Sequence, residues 1–123
     1  MRRLREEALG PLLAGRVARW RRFDWESGVR RDGTYGMRSE YNVLAPQPVV
    51  LLDGTYSCRP ELADLIDLTV LVDVPVAVRH ARVAEREDAE FLKGWHERWD
   101  APEQHYLERV RPPATFDLVV RNG

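Results

Sequence analysis

Three groups of residues in this chain have types and spacings that suit chemistry. The first centres on Asp53, in Val49-Val-Leu-Leu-Asp53-Gly54-Thr-Tyr56. A short apolar run ending in a carboxylate and a glycine predicts a buried parallel strand. Its acid then stands at the strand's C-terminal edge, where open α/β sheets bind ligands. A carboxylate there can hold Mg²⁺ or position its water. An ordinary Asp-Gly turn is the competing reading, and on this segment the two stand level. The second group is Arg79, Arg82 and Arg86, spaced to share one helical face. Guanidinium forks bind phosphate oxygens bidentately, so such a face suits a polyphosphate. A solvated face paired to Glu85, Glu87 and Asp88 is the alternative. The third is Phe23-Asp24-Trp25, a carboxylate between two aromatics. A ring wall and an acid can hold a flat base and a sugar hydroxyl. Half-buried packing with the acid outside is the alternative.

Several other chemistries are excluded. Phosphoryl transfer by a P-loop enzyme needs G-x-x-x-x-G-K-[ST]. The single lysine, Lys93, sits in Leu92-Lys93-Gly94-Trp95, which does not fit that loop. His80, His96 and His105 form no H-E-x-x-H spacing, and no nucleophile elbow is present. A lone Cys58 excludes an internal disulfide and a cysteine-based zinc site, and points to a reducing cytoplasm. Phe91, Trp95 and Trp99 recur one helical turn apart and are expected in the core. Glu103 and Tyr106 add an acid and a hydroxyl to that region.

With 123 residues, the chain is expected to form one domain with a real core. Apolar content of 44% beside 32% charged residues fits an ordinary globular chain. No run approaches the roughly 18–20 apolar residues of a membrane span, and Met1-Arg-Arg-Leu-Arg-Glu-Glu is not a secretory signal. The expectation is therefore a cytoplasmic protein with no membrane partner. The net charge of −1 conceals an asymmetry, because Met1–Tyr41 holds ten arginines against six acids. Those acids dilute the basic patch, and no nucleic-acid motif accompanies it. The reading is a solvated helix face with a few phosphate-facing arginines, not a nucleic-acid surface.

The elements that must position these residues follow from periodicity and punctuation. Leu4, Ala8, Leu12 and Leu13 predict a helix over Arg2–Ala14, stopped by Gly15. An extended arm is expected around Arg21–Asp24, a turn over Glu26–Gly36 and a returning strand at Glu40–Leu44. Val49–Leu52, Leu68–Val74 and Phe116–Val120 read as buried strands. A short helix is expected over Arg59–Ile66, with proline in its first turn. Val76–Arg86 and Ala89–Val110 read as helices, the latter with a break at Asp100-Ala-Pro102. This alternation argues an α/β fold, a parallel sheet with flanking helices. The division expected within the single domain is 1–45, helix and substrate arm, then 46–123, a βαβ core with a lid helix.

Taken together, these segments resemble the uridine kinase-like branch of the P-loop kinases, related to phosphoribulokinase and pantothenate kinase. The matching stretches are Leu9–Gly15 with Arg19–Trp25, Pro48–Tyr56 with Arg59–Leu62, and Val70–Pro75 with Arg79-His-Ala-Arg82 and Arg86. Trp99–Tyr106 and Phe116–Val120 complete them. Their order and spacing cover nearly the whole chain. The resemblance implies ATP- and Mg²⁺-dependent transfer of a phosphoryl group to a hydroxyl of a nucleoside or similar small molecule. By position it implies metal and catalytic work at Asp53, where the family usually has Glu. It implies catalytic work at Arg79 and Arg82 on the lid helix, and nucleotide contacts at Arg86 and Asn122. Phe23, Asp24, Trp25 and Tyr56 would enclose the acceptor.

The family's phosphate loop, its strand and the strand bearing the expected acceptor base lie upstream and are not among these residues. Val83 stands where a second lid arginine is common. The expected chain is thus an incomplete P-loop kinase fold, truncated and inactive alone. A non-catalytic degenerate domain that binds a nucleotide or a partner protein is the alternative, and an arginine-rich nucleic-acid accessory a third. In the family's strand order, 2-3-1-4-5, Val49–Leu52 is strand 3 and Leu68–Val74 strand 4. With strand 1 absent, either these two close on each other or the exposed edges drive self-association.

Overall fold

Apolar residues recurring at helical spacing open the chain with a helix. The computed structural model describes residues 2–87 and 94–123. It winds Leu4–Leu9 as a π-helix and Gly10–Leu13 as an α-helix, burying Leu9 and Leu12. Gly15 then takes φ +68°, the left-handed conformation in which helices commonly stop. The architecture is mixed α/β, with three two-stranded sheets among the described residues, one of them parallel. The chain forms two compact units, Met1–Asp53 and Gly54–Gly123.

In the first unit, β1 (Ala18–Trp20) pairs antiparallel with β4 (Asn42–Leu44), and β2 (Phe23–Val29) with β3 (Tyr35–Met37). The Arg38 N–H donates to the Arg22 carbonyl at 2.9 Å between the two ladders. The turn beyond β2 is closed by Arg30 N–H to Thr34 O at 2.7 Å, with Gly33 at φ +80°. Asp32 accepts from the Thr34 N–H at 3.0 Å and from its hydroxyl at 2.7 Å, as turn aspartates do. The returning strand expected at Glu40–Leu44 is present as β4 but pairs with β1, whereas the arm strand β2 pairs with β3, so strand pairing takes in both ends of the stretch expected as a turn.

Val49–Leu52 corrects the sequence reading. It joins none of the three ladders, and Val49 and Leu51 are 80% and 89% exposed. An apolar run becomes a buried strand only when a neighbour takes its N–H and C=O groups and a layer covers its side chains. Neither is present among the described residues.

In the second unit, Pro60–Leu65 is a 3₁₀-helix that begins with its proline and buries Leu62 completely. β5 (Val70–Asp73) pairs parallel with β6 (Leu118–Arg121), Val70 opposite Leu118 and Asp73 opposite Arg121. The helix Val76–Arg86 follows β5 directly after Pro75. A second helix, Trp95–His105, contains Pro102 and continues as a π-turn over Tyr106–Val110. The break expected at Pro102 does not occur. A proline forfeits one N–H, and the helix continues past that loss. Trp99 is 41% exposed, not core, and Phe91 lies outside the described residues.

Leu68–Val74 and Phe116–Val120 are shorter as strands than expected, and they are not buried. Leu68, Val70, Val72, Leu118, Val119 and Val120 are all exposed. β5 has one ladder partner among the described residues, so its other edge presents unpaired N–H and C=O groups beside valines. Such an edge templates association. The isolated chain is expected to bind an apolar-surface dye and to elute above monomer size, and Val72→Lys to reduce both. A monomer with a sharp cooperative melt would refute this.

The β5–β6 pair is anchored at one end by a polar cluster around buried Thr69. The Thr69 N–H and hydroxyl both donate to one Asp117 carboxylate oxygen, at 2.8 and 2.6 Å. In return the Thr69 hydroxyl oxygen accepts from the Asp117 N–H at 3.1 Å and from Arg111 Nη2 at 3.3 Å. The Thr69 hydroxyl, then its N–H, hold the Asp117 carboxyl below its ordinary value. A lowered folded pKa stabilises the fold above the unfolded value, about 3.9, and that contribution is lost as pH falls through the folded value. Acidification below about pH 4 is therefore expected to lower the melting temperature of the wild type more than that of Asp117→Asn. Parallel slopes for the two would show that the cluster carries no such linkage.

Candidate functional site

Within the first unit, the strand period decides what the Phe23-Asp24-Trp25 triplet can do. Alternate residues share a face, so Phe23 and Trp25 project together and Asp24 projects opposite. The two rings lie 5.3 Å apart, and Trp25 meets Tyr35 edge-on at 4.4 Å. The result is an exposed aromatic wall on the arm. Asp24 is not part of it. Its carboxylate accepts from the Ser27 hydroxyl and N–H, and the hydroxyl bond is the main cause of its lowered pKa. The wall can stack a flat ring; a hydroxyl-binding acid beside it is not supplied by Asp24.

Asp53 closes the first unit as exposed coil after the unpaired Val49–Leu52 run. Among the described residues no group of three His, Cys, Asp or Glu side chains converges to hold a metal ion. Mg²⁺ needs only one or two carboxylates when substrate phosphates and waters complete its shell. Asp53 can offer one such ligand.

The lid arginines lie in the second unit and do not act as a set. Arg79 is half-buried and ion-paired to Glu103, whose bond holds its pKa above the ordinary value. Arg86 donates to Glu87 at 2.8 Å. Arg82 is exposed on the same helix, with no ion pair among the described residues. His80 faces Asp100 at 3.1 Å on the neighbouring helix. Thus Val76–Arg86 is tied to Trp95–His105 through Arg79 and His80, and not through Arg82 among the described residues. Asn122 extends the parallel ladder, its N–H donating to the Asp73 carbonyl at 3.0 Å.

Tyr56 has φ +60°, a left-handed conformation uncommon for a bulky residue. Its ring lies 4.9 Å from that of Tyr106, which is itself buried. Among the described residues neither hydroxyl has a hydrogen-bond partner, and the buried Arg59 Nε has only the Glu61 carboxylate at 3.7 Å. Burial is the main cause raising both phenol pKa values.

Each within its own unit, Asp53 offers a carboxylate and Arg82 a guanidinium with no ion pair among the described residues, and neither by itself makes an ATP·Mg²⁺ site. No glycine-rich loop offers successive backbone N–H groups to phosphates. Comparison with protein-family models, with curated proteins and with solved structures found no match to this chain.

Sequence reasoning did not single out Arg19 and Tyr41, or Arg21 as more than a point on the arm. These residues line a cleft of about 500 Å³ with Arg3, Glu7 and Phe23. The signal was the spacing Arg19-Trp20-Arg21, two arginines two residues apart at and just beyond the end of β1. Tyr41 precedes the strand that pairs with it, and that placement needed the hairpin register.

Proposed function

We propose that this chain carries the acceptor arm and lid helix of a uridine kinase-like, ATP-dependent phosphotransferase acting on a hydroxyl of a nucleoside or similar small molecule. The observation that carries the reading is the parallel connection Val70–Asp73, Val76–Arg86, Leu118–Arg121 with an open edge on β5. A P-loop kinase sheet places its phosphate-loop strand beside the corresponding strand. The exposed aromatic wall of Phe23 and Trp25 supports an arm that stacks a flat acceptor, and the unpaired Arg82 supports a lid that meets phosphate. Arg79 acts in this reading as a positioning residue, locking the lid helix to its neighbour through Glu103.

These 123 residues contain no phosphate cradle, so in this reading the chain alone does not turn over. The second reading, a non-catalytic domain that binds a nucleotide or a partner protein, is favoured by the ion pairs that occupy Arg79 and Arg86. One experiment separates them. The strand, glycine-rich loop and following helix of a P-loop kinase are joined ahead of Met1, and ATP-dependent phosphorylation of uridine and cytidine is measured. Nucleoside monophosphate formation is expected. A folded fusion that binds ATP and phosphorylates neither acceptor would favour the non-catalytic domain.

A further inference from the structure

We infer that the cleft formed by Arg19, Arg21, Tyr41, Arg3, Glu7 and Phe23 binds a small phosphate monoester carried on a flat ring. The inference concerns Met1–Asp53 alone and does not depend on phosphoryl transfer by the chain.

Its first support is a charge arrangement that the fold does not neutralise. Arg19 lies in β1 and Arg21 just beyond its end, and both line the cleft. Their guanidinium carbons lie 5.3 and 5.6 Å from the centre of the Tyr41 ring. Cation–π attraction holds each in place. It also brings two like charges to one ring, and neither makes an ion pair with a carboxylate among the described residues. The nearby acid is already engaged. Glu7 takes two bonds from Arg3, both at 2.9 Å, and Arg21 reaches it only as a more distant charge. Two free guanidiniums with rigid forks are matched by one dianion.

The second support is the other end of the cleft. Arg3 is fixed there by Glu7, by the Arg21 carbonyl at 3.0 Å and by the Met37 sulfur at 3.4 Å. It lies 5.8 Å from the Phe23 ring centre. Phe23 and Met37 line this end and make it apolar, with the Phe23 ring as a flat wall. A volume of about 500 Å³ is that of a small-molecule site. The carboxylate of Glu7 within the lining, with Asp24 and Glu40 nearby in sequence, interrupts any basic track. That favours a single phosphate over a nucleic-acid backbone, which needs a continuous positive path.

The test is calorimetric titration of the full chain at low salt with phenyl phosphate, inorganic phosphate and phenol. Phenyl phosphate is expected to bind, inorganic phosphate to bind more weakly and phenol not to bind. Arg19→Gln and Arg21→Gln are each expected to weaken phenyl phosphate by about tenfold, since each removes a charge-assisted bond. Both side chains are exposed, so the fold does not depend on them. Unchanged affinity in the Arg19→Gln/Arg21→Gln double variant would overturn the site. Equal affinity for inorganic phosphate would overturn the ring-bearing part. Tighter binding of polyuridylate, with a salt dependence that the double variant flattens, would make the surface a nucleic-acid site and overturn the inference.

Discussion

Mixed with ATP, Mg²⁺ and uridine, the 123-residue chain is expected to yield no uridine monophosphate above the uncatalysed background. Enzymic phosphoryl transfer involves little covalent chemistry by the protein. Catalysis comes from positioning and from charges and N–H groups aimed at the transferred phosphoryl. The glycine-rich loop and its lysine supply most of these, and Lys93 stands in no such loop. What the chain does supply is an exposed Asp53, an exposed Arg82 and an Arg79 already paired to Glu103. The measurement is product formation at saturating ATP. Turnover at an ordinary kinase rate, roughly 1–100 s⁻¹, would sink the proposal that the chain cannot act alone.

Asp53→Ala in the fusion that supplies a phosphate loop is expected to lower kcat by about 10²–10³-fold while changing the acceptor KM little, the usual cost of losing one charge-stabilising group in a dry site. A KM effect alone would place Asp53 in acceptor binding, because uniform binding energy changes KM and leaves kcat. Asp53→Glu restores the family's usual acid and adds one methylene of reach. It is expected to keep activity, which a turn aspartate's replacement would not require. A rate near wild type for Asp53→Ala would identify an ordinary Asp-Gly turn.

Charge placement also shows how far a motif can be trusted. Arg79, Arg82 and Arg86 share a helix face, as their spacing requires, yet they have three different fates. Arg79 is taken by a carboxylate 24 positions away, Arg86 by its neighbour, and Arg82 by none among the described residues. Spacing along a helix is local, whereas partners for its side chains come from other elements. Asp24 shows the converse. Its partner, Ser27, is three residues on in the same strand, and so local a pair was within reach of sequence reasoning.

By itself the sequence determined the features that depend on a few consecutive residues. Pro75 and the apolar period place the helix Val76–Arg86 where the structure has it. Gly15 ends the first helix, and the polar stretch with Gly33 turns the hairpin back on itself. The pairing of Val70–Asp73 with Leu118–Arg121 follows from alternating strand and helix signals. Only the tertiary structure decided burial and convergence. Val49–Leu52 has the composition of a buried strand and is left exposed, because a strand's stability lies in its neighbours and not in its own residues. The Thr69–Asp117 anchor joins residues 48 apart, and the Arg19–Arg21–Tyr41 cluster depends on the hairpin's register. Long-range contacts of this kind are set by which surfaces meet, a property that periodicity along the chain does not encode.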